Sequence, residues 1–292
     1  MTAASVPSPL RLWGCVVLLS LLWAIAFPLT ALSLVALEPL ALVAWRLTIA
    51  GLCLCLYQHF FCKQPFLLQH WRVYLWLGVL GNVLPFLLIG WGLKSVPSGV
   101  AALIIGTVPL FTVLIAHLQF PNERLTWRLA AGISLGFIGV ASLFWPLPAV
   151  PLPLLPVLAI AAAALCYGLT ITELKRFNSI PFVPRTTGMM VSSAITSWVI
   201  IAAYPPTIIV TTDALAWLHL LLLALLPSAS ALLLTTYLLH HGSVTHIGFS
   251  NYLTPIFGVV ISALVLGERI TGGLLVALVF VIGGMVLTLR KR

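Results

Sequence analysis

The sequence predicts an all-α integral membrane protein with ten transmembrane helices arranged as two inverted five-helix repeats, residues 1–146 and 147–292. Three observations carry this expectation. Of the 292 residues, 62% are hydrophobic and only 7% charged, whereas soluble domains run near 45–50% apolar and about 25% charged. Ten apolar stretches of helix length lie between the charges, prolines and turn residues. Motifs around the fourth stretch return around the ninth, half a chain length later. One membrane-spanning helix needs about 20 apolar residues, so ten consume roughly 200 and leave no room for an extramembrane catalytic or nucleic-acid-binding domain. Nucleic acid is therefore not an expected partner, despite 14 Lys and Arg against five Asp and Glu and a net charge of +9.

Each stretch reads as a helix because lipid offers no partner for an unpaired peptide group. A β-barrel would show short alternating segments, and the run Ala159-Ile160-Ala161-Ala162-Ala163-Ala164-Leu165 is unlike them. The first span covers about 12–34. Arg11, the apolar run and the triplet Ala24-Ile25-Ala26 imitate a secretory signal, but the run continues past the triplet and nine spans follow, so it is read as a membrane helix. The second, 39–60, contains Arg46, Cys53 and Cys55; the third, 71–94, contains Asn82 and Pro85. Thr107, Pro109 and Thr112 lie in the fourth, 99–120. In the fifth, 127–145, Gly132 and Gly136 form a small-residue face that suits either a homodimer seam or packing against the tenth span, so monomer and homodimer both stay open. Pro146, Pro148, Pro151, Pro153 and Pro156 then mark a connection, since each removes a backbone donor. The sixth span covers 154–172, and the seventh 189–204 with an alternative start near Pro184. The eighth covers 217–239, the ninth 245–266 and the tenth 273–289. The five cysteines sit within or at the ends of spans without metal-ligand or disulfide spacing and read as packing residues.

The charges orient the spans. With a cytoplasmic N-terminus, one side carries Arg11, Lys63, Arg72, Arg124, Arg128, Lys175, Arg176, Arg185, Arg290, Lys291 and Arg292, and the other only Lys94 and Arg269. Eleven against two is a strong positive-inside signal. It places both termini in the cytoplasm and the chain in the cell inner membrane. Glu38, Asp213 and Glu268 fall outside, and Arg46 alone lies well inside a span.

The repeat is explicit. Val108-Pro109-Leu110-Phe111, then Asn122-Glu123-Arg124-Leu125-Thr126, then Gly136 and Gly139, answer to Thr254-Pro255-Ile256-Phe257, Gly267-Glu268-Arg269-Ile270-Thr271, and Gly283 and Gly284. The Pro-apolar-Phe copies are 146 residues apart and the Glu-Arg-apolar-Thr copies 145. Trp23-Ala24 and Tyr167-Gly168 form a weaker echo. An odd number of spans per unit forces the second copy to enter the membrane from the opposite side, an architecture recurrent in secondary transporters.

On these motifs the chain resembles the drug/metabolite transporter superfamily, EamA type, over nearly its whole length. The resemblance implies an inner-membrane permease, often an exporter of amino acids or related small metabolites. It also implies a central cavity lined by spans one, three, four, six, eight and nine, with five and ten packed to the side. One departure is that the second-half echo of Trp23 is Tyr167, so that motif is half kept.

A midplane cavity needs polar side chains that would be costly against lipid. The candidates are Asn82, Thr107, Ser228, Tyr237, Asn251 and Tyr252, near prolines that free backbone carbonyls. Asn82 and Asn251 stand out because an amide has four hydrogen-bonding sites to satisfy. Trp23, Trp91 and Tyr167 lie in spans that the resemblance places at the cavity, as flat walls or cation–π partners, with core packing as the competing role. Arg46 could grip an anion through its guanidinium fork, or serve structurally by reaching the outer surface or bonding carbonyls at a broken helix. Trp71, Trp76, Trp145, Trp198 and Trp217 read as anchors or packing.

No metal or other cofactor is called for. The His240-His241 pair is the only local metal candidate, and adjacent helical residues point about 100° apart with no acid nearby. All five acids lie at helix ends or in connections, so proton coupling through an intramembrane carboxylate is not expected. A phosphate-binding Gly-Lys-Ser/Thr loop is also lacking, which excludes a self-contained nucleotide-driven pump. The remaining alternatives are a lipid flippase, a membrane scaffold subunit and, further off, an integral membrane enzyme.

Overall fold

Prolines set where several helices begin and where others bend. The protein is described by a computed structural model covering residues 8–120, 126–144, 152–207, 210, 212–241 and 244–289. Every regular element among these residues is helical. Helix α1 (Pro9–Ser33) starts on a proline, whose missing N–H is no loss in a first turn. It breaks at Ile25, because Pro28 removes the donor that the Ala24 carbonyl would otherwise meet. Helix α2 (Pro39–Cys62) also starts on a proline and ends where Lys63 turns left-handed, at φ 51°.

Helix α3 (Leu68–Leu93) widens into a π-type turn over Val79–Val83, just ahead of Pro85. Helix α4 (Ser98–Gln119) breaks at Gly106-Thr107, ahead of Pro109. Helices α5 (Trp127–Ala141), α6 (Leu154–Arg176) and α7 (Phe182–Ala203) follow. Helix α8 runs through Ala214–Leu223, a second wide turn Ala224–Ser230 around Pro227, and Ala231–His241. Helices α9 (Val244–Leu266) and α10 (Gly272–Leu289) close the chain. Eight helices are long and apolar enough to cross a membrane; α5 and α10 are shorter apolar helices among the described residues.

Several ends differ from the sequence expectation by three residues or more, and two of them flank one connection. Helix α6 continues to Arg176 instead of 172, and α7 begins at Phe182, close to the alternative start near Pro184 and not at 189. Both extensions carry charged side chains that bond close by. Glu173 pairs with Arg176 at 2.9 Å, and Arg185 Nη1 donates to the Phe177 carbonyl at 2.8 Å at the end of α6. The Asn122-Glu123-Arg124-Leu125 turn, Trp145, Pro146, Pro148, Pro151, the side chains of His240 and Thr245, and Arg290, Lys291 and Arg292 lie outside the described residues.

Small residues let the helices touch. Without water, apolar side chains gain little by meeting one another, so association relies on close van der Waals packing. At the α4–α9 crossing, Gly106 lies against the Pro255 ring and Gly258 against Ala102. At the α5–α10 seam, Gly284 lies against the Gly132 carbonyl and the Gly136 nitrogen, and Gly139 against the Ala277 carbonyl. Of the two uses open to the Gly132/Gly136 face, the structure shows packing against α10. Gly188 of α7 receives the Tyr74 ring of α3. Large apolar side chains such as Phe61, Leu264 and Val279 point outward, as a lipid-facing surface requires.

One cap is supplied across the fold. Pro97 precedes α4 and offers no side-chain acceptor to its first turn. Glu268, in the connection between α9 and α10, takes that role: its carboxylate accepts from Ser98 N at 2.6 Å and Gly99 N at 2.9 Å.

Replacing Gly284 by Leu should lower stability by about 1–3 kcal/mol, because α10 cannot withdraw from the α5 backbone without opening the seam. Gly14→Ala, where nothing lies within 4 Å of the added carbon, should be neutral or slightly stabilising. Denaturant titration of the detergent-solubilised protein checks both, and equal midpoints for the two variants would refute the seam.

Candidate functional site

The bend in α8 organises the polar interior. Pro227 has no N–H to give the Leu223 carbonyl four residues earlier. The Ser228 hydroxyl donates to that carbonyl instead, at 3.1 Å, and accepts from Arg46 Nε of α2 at 2.9 Å. Ser228 thus links a freed backbone acceptor to a buried cation, and both residues are almost fully enclosed. The Arg46 guanidinium carbon sits 3.8 Å from the centre of the Phe86 ring, a cation–π contact from α3. Tyr167 of α6 lies within electrostatic reach of the guanidinium and packs on the main apolar core. Helices α2, α3, α6 and α8 therefore converge on one cationic, aromatic and hydroxyl-bearing centre.

Of the residues nominated from sequence, the structure brings Arg46, Tyr167 and Ser228 together. It engages others elsewhere. Asn82, in the wide turn of α3, donates to Ser193 Oγ of α7 at 3.1 Å. Thr107 donates to the Ile104 carbonyl at 2.6 Å, at the break of α4. The Tyr252 hydroxyl reaches the Met285 carbonyl of α10 at 3.0 Å. Tyr237 stacks on His241 with ring centres 4.4 Å apart. Trp23 is half-buried against a small cluster of α1, α8 and α9, and Trp91 is exposed. Asn251 is half-buried in α9, one turn before Pro255.

Sequence reasoning missed Phe86. The available signal was its place directly after Pro85, where a wide turn rotates the next residues relative to a regular helix. It also missed Thr48, whose hydroxyl accepts from Trp198 Nε1 at 2.9 Å and ties α2 to α7. Trp45 stacks edge-on against both Trp198 and Trp217, so Trp198 and Trp217 pack in one aromatic cluster. An open, largely apolar groove of about 560 Å³ lies between α2 and α7 and includes Thr48, Cys55 and Trp198. At 100° per residue, its α2 residues occupy the face opposite Arg46, so this groove and the cationic centre are separate.

Residues 12–145 and 154–290 each match the EamA-like transporter family. The chain is 26% identical over 275 residues to "Uncharacterized transporter YdfC" of Bacillus subtilis (strain 168), covering 92% of this chain and 88% of that protein. It is 27% identical over 266 residues to a "Probable terminal-alkyne amino-acid exporter" of Streptantibioticus cattleyicolor, covering 84% and 82% of the two chains. A crystal structure shares the fold with a TM-score of 0.65 at 22% identity, over 96% of this chain and 95% of that one.

Tyr252→Phe should cost about 0.5–1.5 kcal/mol, the usual net value of a buried hydrogen bond. Thermal unfolding in detergent reads this directly. An unchanged midpoint would mean that the bond to Met285 does not hold α9 to α10.

Proposed function

The chain belongs to the EamA-like transporter family, within the drug/metabolite transporter superfamily, and we propose that it exports small metabolites, amino acids or related compounds, by alternating access. It is a multi-pass membrane transporter and not an enzyme. We assign it ten spans in two inverted repeats, 1–146 and 147–292, with α5 and α10 counted as the fifth and tenth. The two family matches, one per half, support this division.

The observation that carries the reading is the pattern of helix packing. Exchanging every helix for its counterpart five places away converts α1–α9 into α6–α4, α3–α6 into α8–α1, and α3–α7 into α8–α2. The pairs α2–α7, α4–α9 and α5–α10 map onto themselves, and all of these contacts occur. The wide turns of α3 and α8, each beside a proline, are counterparts under the same exchange. Two halves of like packing can trade conformations at small energetic cost, which is the physical basis of alternating access. In that scheme α4 and α9 cross at Gly106 and Pro255, on the pseudo-two-fold axis.

The cargo path runs between the halves. Trp23, Trp91, Tyr167, Ser228 and Asn251 line it in this proposal. Asn82, Thr107, Tyr237 and Tyr252 join it by exchanging their present neighbours for cargo as the halves move. The excess of Lys and Arg on one side supports cytoplasmic termini and an inner-membrane location. Amino-acid cargo and outward direction rest on the printed name of one relative.

Cells overexpressing the protein and preloaded with radiolabelled amino acids should release at least one of them faster than cells carrying an empty vector. A Trp23→Ala, Asn251→Leu double variant present at equal membrane abundance should lose that excess. Equal efflux from all three across a broad panel would sink the exporter reading. Alkaline phosphatase fused after Arg292 should be inactive and a fluorescent protein there bright; the reverse would overturn the topology.

A further inference from the structure

We infer that Arg46 is the anchor for a carboxylate carried by the cargo, with Ser228 and Phe86 holding the guanidinium in place. This rests on the transport reading above and gives its central site a substrate class.

The argument begins with charge balance. Arg46 is only 7% exposed, and a guanidinium taken out of water needs an anion or a dense set of acceptors. No carboxylate of the described residues meets it. Glu38 accepts from Thr207 N, and Glu173 pairs with Arg176. Asp213 caps Leu215 N at the start of α8, and Glu268 caps α4. These four acids are held at helix ends, and the fifth, Glu123, lies outside the described residues. The centre is therefore cationic and lined by neutral groups.

The two structural roles open to Arg46 do not fit the geometry. The side chain does not reach for the surface, because Nε bonds inward across the bundle to α8. Nor does it satisfy the carbonyl freed by Pro227, since Ser228 does that. What remains is the terminal edge. Ser228 occupies Nε and Phe86 covers one face, while Nη1 and Nη2 make no hydrogen bond to the described residues. Those two nitrogens present parallel N–H donors at the spacing of the two oxygens of a carboxylate. Tyr167 contributes a phenol on the α6 side. One positive charge among neutral hydroxyl and aromatic groups matches a monoanion, whereas a doubly charged phosphate would be left half-neutralised.

Counterflow into proteoliposomes of the purified protein tests this with leucine, threonine and phenylalanine, each beside its carboxamide, which keeps the ammonium and removes only the carboxylate charge. Wild-type protein should favour the acids. Arg46→Gln should lose acid transport by about tenfold to a hundredfold, the range set by a hydrogen bond to a charged group, and keep amide transport within about twofold. Arg46→Lys retains the charge without the fork and should keep the acid preference at about tenfold lower rate. If Arg46→Gln does not assemble, the lysine variant decides through the same preference, which must persist. Equal loss of acid and amide, or wild-type protein indifferent to the pair, overturns the carboxylate anchor and leaves the transporter reading intact. Wild-type vesicles that move neither overturn the anchor together with the amino-acid cargo it serves.

Discussion

Every peptide group inside a membrane span of this protein has to find its hydrogen-bond partner without help from water. That constraint makes each apolar stretch a helix, and it makes each proline within a helix a local event with consequences. Pro28 breaks α1, Pro85 follows the wide turn of α3, Pro109 follows the break of α4, and Pro227 sits inside the wide turn of α8. In each case a carbonyl loses its regular donor. At Pro227 the replacement is visible: Ser228 bonds the Leu223 carbonyl and, through the same oxygen, receives Arg46. The polar centre is thus a product of backbone repair. Elsewhere Ser20, Thr30, Ser33, Thr112, Thr170 and Thr254 return their hydroxyls to their own helices, so most polar side chains here are neutralised locally and only a few are free to act.

Close backbone approach is the second theme. The glycine seams of α5 with α10 and the Gly106–Pro255 crossing of α4 with α9 bring main chains together where side chains would hold them apart. Such seams suit both rigid association and sliding, because nothing interlocks across them. The tight α5–α10 pair is well placed to hold the two proposed halves together at one side, while the cationic centre lies where α2, α3, α6 and α8 meet. Glu268 adds a polar stitch between the halves by capping α4 from the α9–α10 connection. Its location explains why a carboxylate follows the ninth span in the repeat motif: a proline-led helix start needs an acceptor that its own first residues do not supply.

The legibility of the site was uneven for a physical reason. Tyr167, Ser228 and Arg46 were visible because a phenol, a hydroxyl beside a proline and a lone cation are conspicuous in an apolar span. Phe86 was invisible, since one phenylalanine among 14 carries no mark of the guanidinium it covers. Asn82 and Tyr252 were conspicuous for the same reason as Ser228, yet their partners, Ser193 and the Met285 carbonyl, lie on other helices and carry no mark in the sequence. Residue type shows that a polar group must be satisfied; it does not show by what.

The sequence by itself determined that the chain lives in a membrane, where its apolar stretches lie and that its two halves share motifs. Composition, span length and repeat spacing are properties of the chain read along one dimension. Tertiary structure decided which faces meet: that Gly132 and Gly136 pack on α10, that α6 and α7 extend further toward their shared turn, and that Arg46 turns inward to Ser228 under Phe86. The reason is rotational. A nearly all-apolar helix has little amphipathic bias to orient it, so its inward face is set by where small residues, prolines and freed carbonyls on its neighbours allow contact.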